Sequence, residues 1–140
     1  MSEVLLIVDM QSSYVASQRE DLRFGVGREA SEVVARGGKV LAINFDGGGT
    51  STVSLPDAET IWKDRNEGGN EVYAWLVGAG LVSRDLRVRV CGVNLCACVY
   101  QTAQTLAWRL YEEHGYRDAV SIVVSLCGDE AKYRIGFEVS

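Results

Sequence analysis

Two cysteines in the stretch CGVNLCACVYQTA, residues 91–103, stand where an apolar run with strand character meets a long amphipathic pattern. A cysteine in the first turn of a helix faces backbone N–H groups without helical partners and the positive end of the helix dipole, and both favour the thiolate. The same N–H groups can stabilise the oxyanion that forms when a thiolate attacks a carbonyl carbon. Cys96 and Cys98 are therefore candidate nucleophiles. The alternative is that both are small buried apolar residues, as free cysteines usually are.

Two ionisable residues occupy positions from which they could assist such a thiol. Asp9 directly follows LLIV, a run typical of a buried strand, and Lys63 follows the weaker run ETIW. A carboxylate could take the thiol proton and pass it on, and a cation could hold that carboxylate ionised and orient it. Separately, Asp9 could be a cap or loop acceptor and Lys63 a solvated surface charge. Together with a cysteine they predict nucleophilic catalysis.

The elements that would position these residues follow a βαβ pattern. Continuous apolar runs predict parallel strands covered on both faces, and the helical patterns between them predict crossover helices. The predicted strands are 3–9, 39–45, 87–93 and 119–124, with weaker candidates at 59–62 and 134–139, and the predicted helices are 26–36, 69–78 and 96–114. Right-handed crossovers then favour a three-layer α/β/α sandwich, formed by a single domain over residues 1–140. In such sheets ligands bind beyond the carboxyl ends of the strands, where Asp9, Lys63 and the cysteines lie.

Composition and charge exclude several classes of function. The chain is 47% hydrophobic and 24% charged, as expected of a globular protein, and no apolar run approaches the roughly 20 residues that cross a bilayer. A net charge of -5 with scattered arginines argues against a nucleic-acid partner. The first ten residues read as a strand rather than a secretion signal, so a cytoplasmic location is expected. The cysteine spacings fit neither a redox nor a zinc motif.

Three blocks of the sequence resemble the isochorismatase-like cysteine hydrolase family. They are LLIVDMQSSYV with Asp9 and Gln11, then IWKD with Lys63, then GVNLCACVYQTA with Cys98. The family typically has an apolar strand ending in Asp-Met-Gln, a lysine after the third strand, and a Gly-Val segment leading to a Cys-Val at the start of a long helix. Order and spacing match over residues 3–125.

The resemblance implies a fold and a set of catalytic roles. The fold is a Rossmann-like parallel sheet of five or six strands in the order 3-2-1-4-5, in which the first and fourth strands are neighbours. Cys98 would be the nucleophile, Asp9 the general base and later acid, and Lys63 the third member of the triad. Backbone N–H groups of Asn94 and Cys98, around a cis peptide between Val93 and Asn94, would form the oxyanion hole. The implied reaction is hydrolysis of a small amide, carbamoyl or ureido compound through a thioester, at a carbon–nitrogen bond other than a peptide bond.

Three residues are assigned to substrate binding, and the chain departs from the family elsewhere. Gln11 and Tyr14 lie in the first block, and Trp62 precedes Lys63, although an aromatic side chain there could equally belong to the core or to an interface.

The loop after the second strand, Asp46 followed by GGGTST, lacks the histidines of the zinc-dependent nicotinamidases, so neither a metal nor a cofactor is expected. The usual threonine and aspartate before the nucleophile are Leu95 and Cys96 here. A small-molecule substrate and a homo-oligomer are expected partners.

Two non-catalytic functions remain open. The glycine-rich loop DGGGTST could hold a phosphate in a small-ligand or nucleotide binder, although it lacks the lysine of a P-loop. The chain could also be a catalytically degenerate relative that keeps the fold for assembly or partner binding.

Overall fold

Strands and helices alternate along residues 2–129, the part of the chain that this computed structural model describes. The strands are β1 (Ser2–Val8), β2 (Lys39–Phe45), β3 (Glu59–Lys63), β4 (Leu86–Val93) and β5 (Val120–Gly128). The helices are α1 (Glu20–Ala35), α2 (Gly69–Gly78) and α3 (Tyr100–His114). A short 3-10 helix, Val15–Gln18, precedes α1, and a π-helical turn, Leu95–Val99, leads into α3.

The five strands form one parallel sheet in the order β3-β2-β1-β4-β5. This confirms the predicted α/β class and the strand order that the resemblance implies. Helix α1 covers one face of the sheet, and α2 and α3 cover the other, so the three predicted layers are present. Since all strands run the same way, the residues after β1, β3 and β4 meet at one edge.

Central strand β1 is buried on both faces, which explains its continuous apolar sequence. Val4, Leu6 and Val8 pack in the cluster that contains α2 and α3, whereas Leu5 and Ile7 pack against α1. Each of these five side chains is at most 1% exposed. Burying a side chain of this size contributes about 1.5–3 kcal/mol, so β1 is a rigid support for the residues that follow it.

Strands β1 and β4 approach each other most closely at Gly92, just before the cysteine junction. Gly92 has φ 116°, and a Cβ built there would lie 2.1 Å from the Val8 carbonyl oxygen. No side chain fits between these backbones. The absence of a Cβ therefore brings the end of β1, with Asp9, beside the end of β4.

Several element boundaries differ from the predicted ones. Helix α1 begins at Glu20 rather than at residue 26. Its first turns were not predicted because Gly25 and Gly27 are poor helix formers and the exposed Phe24 interrupts the apolar stripe. Strand β5 extends to Gly128, four residues beyond the predicted end. Strand β1 ends at Val8, so Asp9 stands just outside it. The candidate strand at 134–139 lies outside the described residues.

None of the helices within residues 2–129 is both long enough and apolar enough to span a bilayer.

Candidate active site

Asp9 is the first residue of the loop after β1, and hydrogen bonds of its backbone N–H and carbonyl groups fix its position. It adopts a left-handed conformation, with φ 53°, which Asp tolerates better than most residues. Its N–H donates to the Ile43 carbonyl of β2 at 3.0 Å, and its carbonyl accepts from the Gln11 N–H at 2.8 Å. Its side chain is only 1% exposed. The turn thus directs a carboxylate inward at the sheet's edge.

Lys63, the last residue of β3, forms a buried ion pair with Asp9. Its Nζ lies 3.0 Å from Asp9 Oδ2, 3.1 Å from the Arg65 carbonyl oxygen and 2.9 Å from that of Asn66. These three acceptors use all three ammonium protons. Gly68 makes room for the chain, since a Cβ there would lie 2.8 Å from Lys63 Cδ. Lys63 is therefore fixed as a cation that orients Asp9.

Cys98 lies in the turn after β4 with its thiol against this pair. The residue is 4% exposed. Burial raises the pKa of the Cys98 thiol to about 11, the Asp9 carboxylate adds to the rise, and the Lys63 ammonium and the Asn94 backbone N–H oppose it. Burial and the Asp9 charge thus act against the thiolate that the helix N-terminus was expected to favour.

The Asp9 carboxyl is placed to receive the proton of the Cys98 thiol. Burial raises the pKa of Asp9, while the charge and hydrogen bond of Lys63 and the hydrogen bond from Cys98 lower it. Within residues 2–129, Oδ1 of Asp9 is buried and has no partner at normal hydrogen-bond geometry. A buried carboxylate with one oxygen on Lys63 and the other uncommitted is a suitable general base.

The turn that carries Cys98 begins with a cis peptide between Val93 and Asn94, as the resemblance implied. The Asn94 carbonyl accepts from the N–H groups of Ala97 and Val99, each at 3.1 Å. The Asn94 N–H interacts with the Cys98 sulfur. A backbone donor thus lies next to the candidate nucleophile.

Gln11 is bound to backbone groups at the end of β2 and in the loop after it. Its Nε2 donates to the carbonyl oxygens of Phe45 at 2.8 Å and Gly49 at 3.2 Å, and its Oε1 accepts from the Phe45 N–H at 2.8 Å. The residue is fully buried. These contacts are those of a positioning residue that joins the loops after β1 and β2, and its assignment to substrate binding stays a prediction.

Replacing Gln11 by Met, which has a similar length, is expected to lower the free energy of unfolding by about 2 kcal/mol, because three backbone groups of the β2 loop lose their partner. Denaturant unfolding measures the change. Gln18→Met is the matched control: Gln18 is exposed and donates to Ser12 O at 2.6 Å. Its loss should stay within about 0.5 kcal/mol. Equal losses in the two variants would contradict the positioning role.

The two aromatic residues predicted to bind substrate, Trp62 and Tyr14, have different surroundings. Trp62 precedes Lys63 in β3, so the alternation of a strand sends its side chain to the opposite face of the sheet, where it is 53% exposed. Tyr14 is half-buried and packs against the cluster around α1. Their assignment to substrate binding stays a prediction.

Asp129 is a residue of this edge that the sequence reasoning missed. It follows β5, and its Oδ2 accepts from the Cys96 N–H at 3.1 Å. The same carboxyl raises the pKa of the exposed Cys96 thiol, mainly through a hydrogen bond. The rule that singled out Asp9, an acid directly after a strand, missed Asp129 because the predicted strand ended at residue 124, four residues before the end of β5.

Within residues 2–129, no group of three or more His, Cys, Asp and Glu side chains is arranged to hold a metal.

Searches by sequence found no matching family model and no matching curated protein. Comparison of the fold does find solved structures. An isochorismatase-like hydrolase from Alkaliphilus metalliredigens has a TM-score of 0.71 at 17% identity, over 97% of this chain and 88% of that one. N-carbamoylsarcosine amidase from Thermoplasma acidophilum has 0.68 at 16%, over 96% and 92%. Pyrazinamidase from Pyrococcus horikoshii, solved in complex with zinc, has 0.63 at 20%, over 86% and 98%. The chain has the fold of the isochorismatase-like hydrolases.

Proposed function

We propose that this chain is a cysteine hydrolase of small amide, carbamoyl or ureido compounds. The observation that supports it most is the meeting of Asp9, Lys63 and Cys98, which come from three separate strand ends, in one buried cluster. The similar solved structures include two named as amidases, which favours the same reaction class.

The first half of the reaction forms a thioester. As Cys98 Sγ attacks the substrate carbonyl carbon, its proton moves to Asp9, and the carbonyl oxygen becomes an oxyanion bound by the backbone N–H groups of Asn94 and Cys98. When the tetrahedral intermediate collapses, Asp9 returns the proton to the leaving nitrogen. The carbon–nitrogen bond breaks, and ammonia or an amine departs.

The second half regenerates the enzyme. Asp9 removes a proton from water as its oxygen attacks the thioester carbon, and the carbon–sulfur bond then breaks. The proton on Asp9 passes to the departing sulfur, and the acid product leaves. Throughout, the Lys63 ammonium lies against Asp9 and two backbone carbonyls, and its charge stabilises the carboxylate form of Asp9 between the steps.

The test is a panel of small amides, carbamoyl and ureido compounds assayed for ammonia or amine release. Acid quenching and mass spectrometry should find an acyl group on Cys98, and hydroxylamine should convert the acyl group to a hydroxamate. Turnover without an acyl group on Cys98, or no turnover on any member of the panel, would refute the proposal.

The pH dependence of kcat/KM supplies a further prediction. Asp9 must be ionised to act as base, and because burial raises the pKa of Asp9, activity should fall with decreasing pH at values above the usual range of an aspartate. Lys63→Met removes the charge that lowers the pKa of Asp9. As the pH decreases, any residual activity of this variant should therefore be lost at a still higher pH than in the unmodified protein. An acid limb at the position of an ordinary exposed aspartate would contradict this role of Asp9.

A non-catalytic protein of the same fold is the second candidate. The low exposure of Cys98, 4%, and its thiol pKa of about 11 favour it, since both describe an inert buried cysteine. Iodoacetamide separates the two: a catalytic Cys98 is alkylated in the folded protein, whereas an inert one reacts only after denaturation.

A further inference from the structure

The loop between β3 and α2, residues 64–68, holds the Lys63 ammonium through its backbone. The carbonyl oxygens of Arg65 and Asn66 lie 3.1 Å and 2.9 Å from Lys63 Nζ. A backbone carbonyl binds an ammonium only where the main chain directs it, so the conformation of this loop decides where the Lys63 charge lies relative to Asp9. A group that fixes the loop therefore also fixes the ion pair.

Thr102 supplies a side-chain anchor for the end of this loop. Its Oγ1 accepts from the Gly68 N–H at 3.1 Å, and the residue is fully buried. Gly68 is packed against the ion pair, since a Cβ there would lie 2.4 Å from Ile43 Cδ1 and 2.8 Å from Lys63 Cδ. Loss of the hydroxyl would leave a buried N–H without its acceptor, which is unfavourable, so the hydroxyl holds Gly68 in place.

Thr102 also belongs to the helix that follows the nucleophile. It comes four residues after Cys98, about one turn further along the chain in α3. Gly69, the first residue of α2, packs on the same helix, since a Cβ there would lie 2.6 Å from Thr105 Cβ. One hydroxyl thus joins the helix that follows the thiol to the loop that holds the ammonium.

We infer that Thr102 is a positioning residue, whose hydroxyl fixes the 64–68 loop so that the Lys63 ammonium stays against Asp9. This inference deepens the proposed function and rests on it for the effect on turnover. The position of the ammonium concerns the folded site alone and is measurable without a substrate. A threonine that only filled space would act through its volume rather than through its hydroxyl.

Three substitutions separate the hydroxyl from the volume. Thr102→Val keeps the size of the side chain and removes the acceptor, whereas Thr102→Ser keeps the acceptor and removes a methyl group. Thr105→Val is the matched control, because it makes the same atomic change nearly one turn further along α3 and leaves the Gly68 N–H its acceptor. A positioning role follows the hydroxyl, and a packing role follows the volume.

The first measurement is the exchange of the Lys63 ammonium protons with water, observed by proton–nitrogen NMR on isotope-labelled protein. A buried ammonium that makes three hydrogen bonds exchanges slowly. The chain has only two other lysines, Lys39 and Lys132, so loss of the signal in Lys63→Met identifies it. Thr102→Val should raise the exchange rate by about fivefold or more, the factor that corresponds to the net loss of one hydrogen bond. Thr102→Ser and Thr105→Val should change it by less than about twofold.

The second measurement is the pH dependence of kcat/KM on the best substrate of the amide panel. Lys63 lowers the pKa of Asp9, so an ammonium that is held less firmly lowers it less, and the carboxylate is then protonated at a higher pH. As the pH decreases, the activity of Thr102→Val should be lost at a higher pH than that of the unmodified protein, but at a lower pH than that of Lys63→Met. Thr102→Ser should restore the original profile.

Unchanged ammonium exchange in Thr102→Val would overturn the inference. Equal changes in Thr102→Val and Thr102→Ser would overturn it as well, because they would assign the effect to volume. The unmodified protein gives a test that does not depend on the folding of a variant. The Gly68 N–H and the Lys63 ammonium should have protection factors within about tenfold of each other, since one opening of the loop exposes both. An unprotected Gly68 N–H beside a protected ammonium would contradict the link.

The two proposals can fail separately. Faster ammonium exchange in Thr102→Val, in a protein that hydrolyses no amide, would refute the proposed function alone and leave the positioning of Lys63 standing. An active amidase in which Thr102→Val changes neither the exchange nor the pH profile would do the reverse.

Discussion

Replacing Cys98 by Ser is expected to lower kcat/KM by about 10³-fold or more, with little change in the free energy of unfolding. A hydroxyl is far less acidic than a thiol, so Asp9 cannot remove its proton as the bond to the carbonyl carbon forms. The oxygen is smaller than the sulfur, so it adds no volume to the buried cluster and the packing around position 98 is kept. Steady-state kinetics on the best substrate of the panel and denaturant unfolding measure the two quantities.

The matched control is Cys96→Ser, which makes the same atomic change in the same turn. Cys96 is exposed, and its thiol contacts Asp129 rather than Asp9, so the rate should change by less than about twofold. Loss of turnover in Cys96→Ser, with activity kept in Cys98→Ser, would assign the nucleophile to Cys96 and contradict the proposed chemistry.

Asp9→Asn is expected to have opposite effects on the ionisation of the thiol and on the reaction. With the carboxylate gone and Lys63 still charged, the pKa of Cys98 should fall, because Asp9 raises it and Lys63 lowers it. The fraction of thiolate at neutral pH, read from ultraviolet absorbance, should therefore rise. Hydrolysis should nevertheless fall by about 10²-fold or more, since no general acid remains to protonate the leaving nitrogen and no general base remains to take a proton from water. A variant with more thiolate and undiminished turnover would remove Asp9 from the mechanism.

The same substitution should also cost about 3–5 kcal/mol of folding free energy, because it leaves the Lys63 ammonium buried without its charge partner. Lys63→Met should cost a similar amount by leaving a buried carboxylate. The double variant Asp9→Asn/Lys63→Met buries neither charge, so its loss should be clearly smaller than the sum of the single losses. Strictly additive losses would mean that the two groups do not interact as the 3.0 Å contact implies.

The part of the fold that could be predicted from sequence is the part whose residues are buried on both sides. The run VLLIV within β1 is entirely buried, and that is why its pattern is continuous and easily recognised. Helix α1 was harder, since its first half contains two glycines and the exposed Phe24, and its N-terminal boundary was missed by six residues. The strand order was supplied by the resemblance rather than by the residue pattern.

The candidate site, too, could be predicted only in part from the sequence. Position along the chain was enough to select Asp9, Lys63 and the two thiols Cys96 and Cys98, because acids, cations and thiols just after strands meet at one edge of a parallel sheet, and the resemblance then favoured Cys98. The direction in which the pKa of the Cys98 thiol shifts could not be predicted, since it depends on how deeply Cys98 is buried and on the distance to Asp9. The role of Gln11 was hidden for the same reason: its hydrogen bonds go to backbone groups at Phe45 and Gly49, which no side-chain pattern reveals.

The contact between Gly92 and Val8 has a consequence for protein engineering. Because the two strands that carry the acid and the thiol touch through main-chain atoms, the distance between their ends does not depend on which side chains surround them. Exposed side chains in the loops after β2 and β3 could be varied to accept new substrates while the backbone contacts of Lys63 and Gln11 are kept and the acid and the thiol keep their separation. A mutagenesis library should therefore leave position 92 as glycine and place its diversity in those loops.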